Sequence, residues 1–182
     1  MTHYLVEIVP YSIEWPGMFR ALGKSLRDAL GDVAVRIDHI GSTAVPGVGA
    51  KPIIDVQISV SAFEPLDAYR RPLEHLGFVF RADNLELTKR YFREPPGMRR
   101  THIHVRRSGS WAEQFALLFR DYLRAHADDT KRYERLKREL AEKYREHRHV
   151  YTEAKVPFIW EIMASADRWS QEVGWEPGPS DA

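Results

Sequence analysis

The stretch that decides the fold reads His39-Ile40-Gly41-Ser42-Thr43-Ala44-Val45-Pro46-Gly47 and resumes, three residues later, as Lys51-Pro52-Ile53-Ile54-Asp55-Val56-Gln57. Gly41-Ser42 ends one run of alternating residues, and the proline and glycines that follow mark a loop. A second run alternates from Ile53, so Ile54 and Val56 share one face while Asp55 and Gln57 share the other. The stretch therefore predicts two strands joined by a turn, with a carboxylate on the polar face of the second.

The turn itself has the composition of an anion-binding loop. Gly41 allows a phosphate or another backbone to approach closely, and the N–H groups and hydroxyls of Ser42 and Thr43 can donate to an anion. On the next strand, the Asp55 carboxylate can hold a divalent cation that bridges phosphate oxygens. An ordinary turn followed by one solvated acid has the same spacing, so spacing alone leaves both interpretations open.

Elsewhere the chain predicts a run of strands set between helices. Apolar residues at helical spacing predict helices near 15–30, 65–76, 111–123, 128–149 and 153–169. Alternating residues predict further strands near 33–38, 78–82, 85–93 and 100–107. This order favours an α+β fold in which helices pack against a mixed sheet. We expect one domain over residues 1–172 and a disordered tail over 173–182, which is rich in proline and glycine.

A second candidate for chemistry is the pair His102 and His104. Two imidazoles at positions i and i+2 of a strand share a face, so they can bind one metal ion or one phosphate group, and either can act as a base near neutral pH. If their strand lies beside that of Asp55, the three side chains form a set of two histidines and one carboxylate. The alternative is a pair of hydrogen-bonded histidines without such a role.

Three cations are candidates for holding phosphate: Lys51 beside the turn, Lys155 at the start of the last helix, and Arg90 in a basic segment. This segment carries Lys89, Arg90, Arg93, Arg99, Arg100, Arg106 and Arg107. It predicts either a local anion-binding face or a solvated surface. For Lys155, a solvated lysine at a helix start is the alternative, and the highly charged helix near 128–149 is most simply a solvated face.

Composition excludes several classes of protein. The 182 residues include no cysteine, which rules out disulfides, zinc–thiolate sites and thiol nucleophiles. A net charge of +1, from 27 basic and 26 acidic residues, is no strong signal for nucleic acid. No apolar run is long enough for a membrane span, and Met1-Thr2-His3-Tyr4 lacks the features of a signal peptide, so we expect a cytoplasmic protein. The oligomeric state is not predicted.

Taken together, these segments resemble the GrpB family of uncharacterised proteins. The resemblance extends from about Val6 to Asp167 and is most specific in the two opening segments quoted above. It also includes Thr101-His102-Ile103-His104, Phe119-Arg120-Asp121-Tyr122 and Tyr151-Thr152-Glu153-Ala154-Lys155. The family in turn is similar to the polymerase-β-type nucleotidyltransferases, so the resemblance implies their mixed sheet with flanking and C-terminal helices.

The resemblance also implies a site. It places Gly41 and Ser42 at the triphosphate of a nucleotide and Asp55 at a divalent metal. Gln57 stands where the superfamily has its second carboxylate, and His102 and His104 stand where a later strand supplies a third acid. Asp55, Gln57, His102 and His104 are thus the candidate metal ligands, and the donor set includes imidazole, which favours zinc or manganese over magnesium.

Three functions follow as hypotheses. The first is metal-dependent transfer of a nucleotidyl group from a nucleoside triphosphate to a small acceptor, with Asp55, His102 and His104 as catalytic residues. The second is a nucleotide-binding or chaperone-like accessory module that has lost catalysis, which the amide at Gln57 favours. The third is a metal-dependent hydrolase that uses the two histidines and Asp55.

Overall fold

The structure is a computed structural model that describes residues 5–182; Met1 to Tyr4, considered above for a signal peptide, lie outside the described residues. Its helices and strands occur in this order: α1 Trp15–Leu30, β1 Arg36–Ile40, β2 Ile54–Val60, α2 Asp67–His75, β3 Val79–Phe80, β4 Arg90–Arg93, β5 Thr101–Arg107, α3 Trp111–Ala125, α4 Ala127–Lys143, α5 Arg148–Ala154 and α6 Val156–Val173. None of the helices in this part of the chain combines the length and apolarity needed to cross a bilayer.

The five strands form one mixed sheet in the order β1-β2-β5-β4-β3. Strands β2 and β5 run parallel at its centre, and the other neighbouring pairs are antiparallel. A parallel pair needs a crossover connection, and the segment carrying α2, β3 and β4 provides it. The α+β class with a mixed sheet is therefore confirmed.

One face of the sheet is apolar and carries the main core. Ile58 on β2 and Ile103 on β5 are fully buried there, and Leu26 of α1 and Leu73 of α2 are buried in the same cluster. The predicted alternation of β2 is confirmed, because Ile54, Val56 and Ile58 belong to this core. Asp55 and the other alternate residues therefore face the opposite side.

The opposite face of the sheet is polar and is covered unevenly. Near β1 and the end of β2, helix α3 covers it, and Gln57 is completely buried with its amide nitrogen donating to the backbone oxygen of Glu113 at 3.2 Å. Around Asp55 the sheet stays open to a cavity. Helices α3, α4 and α6 share a second core, which includes Leu123, Tyr133 and Ile162.

Some element bounds differ from those predicted. The strand expected over 85–93 is limited to Arg90–Arg93, and the segment before it is largely turn. The helix expected over 128–149 is divided into α4 and α5 by the link at residues 144–147. This link lies against the N-terminal segment, where the Val6 N–H donates to the backbone oxygen of Arg145 at 2.7 Å. Because the helix is divided here, Arg148 at the start of α5 lies beside the cavity on the polar face.

The C-terminal segment also differs from the expected disordered tail over 173–182. Helix α6 extends to Val173, and the residues after it lie against the edge strand β1. The backbone N–H of Ala182 donates to the Ile37 carbonyl at 3.1 Å, and the Asp181 carboxylate accepts from the His39 N–H at 2.9 Å. An edge strand has unpaired backbone N–H and C=O groups, and these contacts satisfy some of those of β1. The C-terminal segment is thus held in place, although its composition is typical of a disordered tail.

Candidate functional site

Three of the predicted residues meet on the polar face of the sheet. Asp55 of β2 is in register with His102 of β5, and His104 lies two residues further along the same strand and face. The Asp55 Oδ1 atom is 3.1 Å from His102 Nδ1 and 3.5 Å from His104 Nε2. The predicted set of two histidines and one carboxylate is therefore brought together by strand pairing alone.

The carboxylate of this set is held in its charged form. Burial by itself would raise the pKa of Asp55, but hydrogen bonding and attraction from His102 and His104 outweigh it, so the pKa lies well below its ordinary value. Burial lowers the pKa of His104, against the opposing pull of Asp55. At neutral pH the group thus holds a carboxylate beside a neutral His104 imidazole.

The donor atoms suit one transition-metal ion. One carboxylate oxygen and two imidazole nitrogens, all within 4.8 Å of one another, are available to a single ion. In a tetrahedral site with bonds of about 2.1 Å, ligand atoms lie roughly 3.4 Å apart. The separations of 3.1 Å and 3.5 Å from Asp55 Oδ1 lie on either side of that value. The set does not fit two magnesium ions, because magnesium prefers oxygen ligands and this group has one carboxylate.

The remaining ring nitrogens, His102 Nε2 and His104 Nδ1, are buried and have no hydrogen-bond partner among residues 5–182. Each ring therefore points one nitrogen at Asp55 and leaves the other free. The tyrosine on the neighbouring strand, Tyr91, packs against both rings, with centroid distances of 5.6 Å to His102 and 5.2 Å to His104. Packing of this kind fixes the orientation of both imidazoles.

The turn after β1 lies directly against the carboxylate. Gly41 has a φ of +73°, and a Cβ atom at this position would lie 2.9 Å from Asp55 Oδ2. Glycine is therefore required both for the backbone conformation and for the close approach. Ser42 and Thr43 follow in a 3-10 turn, and all three residues line the cavity.

Buried contacts from β1 hold this turn in place. The Thr43 hydroxyl donates its one proton to the Ile53 carbonyl at 3.2 Å. His39 Nε2 lies 3.0 Å from the same hydroxyl and must therefore donate to it. The His39 ring stacks on Phe19 with centroids 4.8 Å apart. Burial, and then the charge of Arg124, lower the pKa of His39 to about 4, so the ring is neutral at pH 7. His39 thus positions the turn and does not line the cavity.

A cavity of about 500 Å³ opens above Asp55, His102 and His104. Asp55 is the one acidic residue among the described residues that line it. Five basic residues line it as well: Lys51, Lys89, Lys137, Arg148 and Lys155. A concave site with this excess of positive charge attracts and concentrates anions.

Lys51 and Lys155, both predicted as phosphate ligands, lie against one aromatic ring. Their ammonium groups are 5.4 Å and 4.6 Å from the centroid of the Tyr151 ring, in cation–π geometry. Burial, and then repulsion from Lys155, lower the pKa of Lys51 to about 8. The two lysines are thus preorganised at one wall of the cavity, where a bound anion would relieve their repulsion.

Two predicted site residues lie elsewhere. Gln57 is enclosed under α3 beside Glu113 and does not line the cavity, so the structure does not bring it to the metal candidates. Arg90 lies on the other face of β4, with its guanidinium 4.3 Å from the Phe63 ring, because alternate residues of a strand point to opposite faces. Its neighbour Lys89 lines the cavity instead.

Sequence reasoning missed Lys137 and Arg148, and it named Lys89 only as a member of the basic segment. Lys137 is the most informative, because it is buried and its Nζ donates to the Gly49 carbonyl at 2.6 Å. Burial lowers its pKa well below the ordinary value. Its spacing held a signal, since Lys137 lies four residues after Tyr133 and four before Ala141, both on the buried face of α4.

The sheet and its covering helices define a nucleotidyltransferase-like α+β fold. The structure of the poly(U) polymerase Cid1 in complex with its short product ApU matches with a TM-score of 0.50 and 15% identity, over 71% of this chain and 42% of that chain. At this identity the likeness is one of fold alone. The model of the family described as GrpB protein matches residues 5–165, and the chain belongs to the GrpB family.

Two relatives and one solved structure at higher identity carry names that assign no activity. A UPF0157 protein of Pseudomonas aeruginosa is 38% identical, over 88% of this chain and 67% of its own length. The UPF0157 protein YqkA of Bacillus subtilis is 34% identical over 91% of this chain, which spans about half (48%) of that relative. The crystal structure of the conserved protein GrpB from Enterococcus faecalis has a TM-score of 0.81 at 30% identity, over 90% of this chain and 99% of that one.

Proposed function

We propose that the chain binds a nucleoside triphosphate in the cavity above Asp55 and transfers its nucleotidyl group to a small acceptor. The observation that carries the proposal is the cavity itself, in which five cations surround one carboxylate flanked by two imidazoles. A cavity with this excess of positive charge attracts the negative charges of a triphosphate. The nucleotidyltransferase-like fold supports the assignment, since a turn of glycine and serine precedes the acidic strand.

Each group has a part in this proposal. Lys51 and Lys155 bind phosphate oxygens from one wall of the cavity, while the turn at 41–43 offers its N–H groups and the Ser42 hydroxyl from the other. Asp55, His102 and His104 would hold one divalent ion of the zinc or manganese type. Such an ion offsets negative charge that builds on the phosphate oxygens.

The reaction balances without a further reactant. The acceptor's hydroxyl oxygen forms a bond to the α-phosphorus, the bond from this phosphorus to pyrophosphate breaks, and the hydroxyl proton is released to water. The cations of the cavity stabilise charge on the transferring group and on the pyrophosphate, which is the main contribution that a protein makes to this chemistry.

Calorimetric titration with ATP, followed by an assay for released pyrophosphate, tests the proposal. We expect ATP to bind with a micromolar Kd, about −8 kcal/mol, and more tightly with Mn²⁺ than with Mg²⁺. Lys155→Gln should weaken binding by about tenfold, since a charge-assisted contact contributes roughly 1.5–3 kcal/mol. Lys24→Gln on the exposed surface of α1 is the matched control and should bind as the wild type does.

The outcomes separate the candidate functions. Pyrophosphate release that depends on an added acceptor supports nucleotidyl transfer, whereas phosphate release without one supports a hydrolase. Binding without turnover supports a non-catalytic nucleotide-binding module, which the enclosure of Gln57 away from the cavity also favours. Absence of ATP binding under all metal conditions contradicts the proposal.

The lowered pKa of Lys51 predicts a pH dependence of nucleotide binding. Lys51 attracts phosphate only when protonated, so the affinity for ATP is highest well below pH 8 and falls as pH rises through the pKa of about 8. At pH 9 about one tenth of the side chain remains charged, and ATP affinity should be about tenfold lower than at pH 7. Lys51→Arg should remove most of this dependence, because arginine stays protonated. If ATP affinity falls with pH as steeply in Lys51→Arg as in the wild type, the pH dependence arises from another group.

A further inference from the structure

A second, smaller cavity adjoins the first along strand β4. Tyr91 and Arg93 are in register with His104 and His102, so all four side chains lie on the polar face of the sheet. The second cavity has a volume of about 200 Å³ and is lined by Arg81, Asp83, Asn84, Tyr91, Arg93 and Arg148. Tyr91 and Arg148 line both cavities, so they form the wall between them.

The second cavity is electropositive even after its internal ion pair is counted. Arg81 is neutralised by Asp83 through two hydrogen bonds of 2.9 Å and 2.7 Å. The other two arginines of the lining are Arg93 and Arg148, and Arg93 is paired with Glu94, which lies outside the lining. Arg148 therefore leaves one positive charge without a partner carboxylate at this cavity, which favours an anion such as phosphate.

Arg93 and Arg148 have hydrogen-bonding capacity left over. Arg93 donates one terminal nitrogen to Glu94 at 3.0 Å, but its Nε is buried and without a partner. The guanidinium of Arg148 forms no hydrogen bond or ion pair within the described part of the chain, and the backbone carbonyl of this residue accepts one from the Thr152 hydroxyl. Burial, and then the nearby charges of Arg100 and Arg93, lower the pKa of Arg148. A planar guanidinium with free N–H groups matches the geometry of a phosphate.

We propose that this second cavity is an acceptor subsite, which holds a phosphate group of the molecule that receives the nucleotidyl group. The proposal rests on the proposed function, because it assigns a substrate class to the other reactant of the same site. Arg93 and Arg148 bind the acceptor's phosphate, and the shared wall at Tyr91 lets the rest of the acceptor extend towards Asp55. The acceptor is therefore a small phosphorylated hydroxyl compound.

The test uses inorganic phosphate as the probe and calorimetry as the readout. Phosphate is titrated into the protein saturated with a non-hydrolysable ATP analogue and Mn²⁺, which occupies the first cavity. We expect phosphate still to bind, and Arg93→Gln to weaken it by about tenfold or more. Arg93→Lys should give an intermediate affinity, because lysine keeps the positive charge but lacks the paired N–H donors of the planar guanidinium. Arg107→Gln is the control, since this residue belongs to the same basic segment but lies on the other face of β5.

A second titration separates this proposal from the proposed function. In the Lys51→Gln/Lys155→Gln double variant the affinity of the first cavity for anions is lowered. If phosphate binding to this variant is still reduced by Arg93→Gln, the phosphate lies in the second cavity. If ATP fails to bind the wild type while this Arg93 dependence holds, the proposed function fails and the phosphate subsite stands. Phosphate that does not bind the saturated protein, or that binds Arg93→Gln as it binds the wild type, overturns the subsite.

Discussion

Replacement of Asp55 by asparagine is expected to lower the nucleotide- or metal-dependent activity by about a thousandfold, or roughly 4 kcal/mol. The substitution keeps the size of the side chain and removes the charge that His102 and His104 face at 3.1 and 3.5 Å. No other acid among the described residues lines the cavity, so no neighbour can replace it. Mn²⁺ affinity should fall at least about a hundredfold. Asp55 would bind the ion directly, and its loss should cost more than the loss of a residue that only hydrogen-bonds to a metal ligand.

The control for this variant is Asp28→Asn, which removes an exposed carboxylate on α1 far from the cavity. Activity and Mn²⁺ affinity should then match those of the wild type. Thermal unfolding of both variants shows whether the fold is intact. If Asp55→Asn folds normally and retains more than about a tenth of the wild-type activity, Asp55 has no catalytic or metal-binding role.

Substitution of Gly41 by alanine is expected to have the second largest effect. An added Cβ atom would lie 2.9 Å from Asp55 Oδ2 and 3.2 Å from its Cβ, so the carboxylate must move out of its place between the histidines. Activity and Mn²⁺ affinity should fall by about a hundredfold, as observed when positioned catalytic groups are displaced by about 1 Å. The positive φ of +73° adds a loss of about 1–3 kcal/mol in the free energy of unfolding.

Gly47→Ala separates these two effects. Gly47 also has a positive φ, +81°, but a Cβ atom there meets nothing within 4 Å. The variant should lose a similar free energy of unfolding, measured by urea denaturation, and keep its activity and metal affinity. Equal losses of activity in both variants would show that backbone strain, and not contact with Asp55, causes the effect.

The sequence predicted the centre of the site because strand geometry is local. Alternation places Asp55 on the polar face of β2 and both histidines on one face of β5, and neighbouring strands then bring them together. The turn at Gly41 was predictable for the same reason, since glycine marks a local backbone requirement. The α+β class followed from the order of strands and helices along the chain.

The rest of the cavity depends on packing that no local pattern encodes. Lys137 and Arg148 reach the site because α4 and α5 fold back over the sheet, and the charge-rich sequence of α4 resembles a solvated face. Arg90 was a candidate because it belongs to the basic segment, and composition does not fix which face of β4 points towards the cavity. The C-terminal segment was predicted to be disordered because its order comes from side chains that pair with an edge strand distant in sequence.

Assignment of Gln57 as a metal ligand shows the same limit. Gln57 shares the strand face of Asp55, as the sequence predicted, yet α3 covers that part of the face and leaves the amide beside Glu113. Alternation determines the face of a sheet on which a side chain lies. Whether that part of the face is covered by a helix or open to a cavity is decided by packing between distant segments.

The most direct test of the account is a crystal of the protein soaked with a non-hydrolysable ATP analogue and Mn²⁺, with data collected at the manganese absorption edge. The account predicts one anomalous peak bonded to Asp55, His102 and His104, with the phosphates of the analogue in contact with Lys51 and Lys155. A nucleotide bound outside this cavity, or manganese that binds without any of these three side chains, would contradict it.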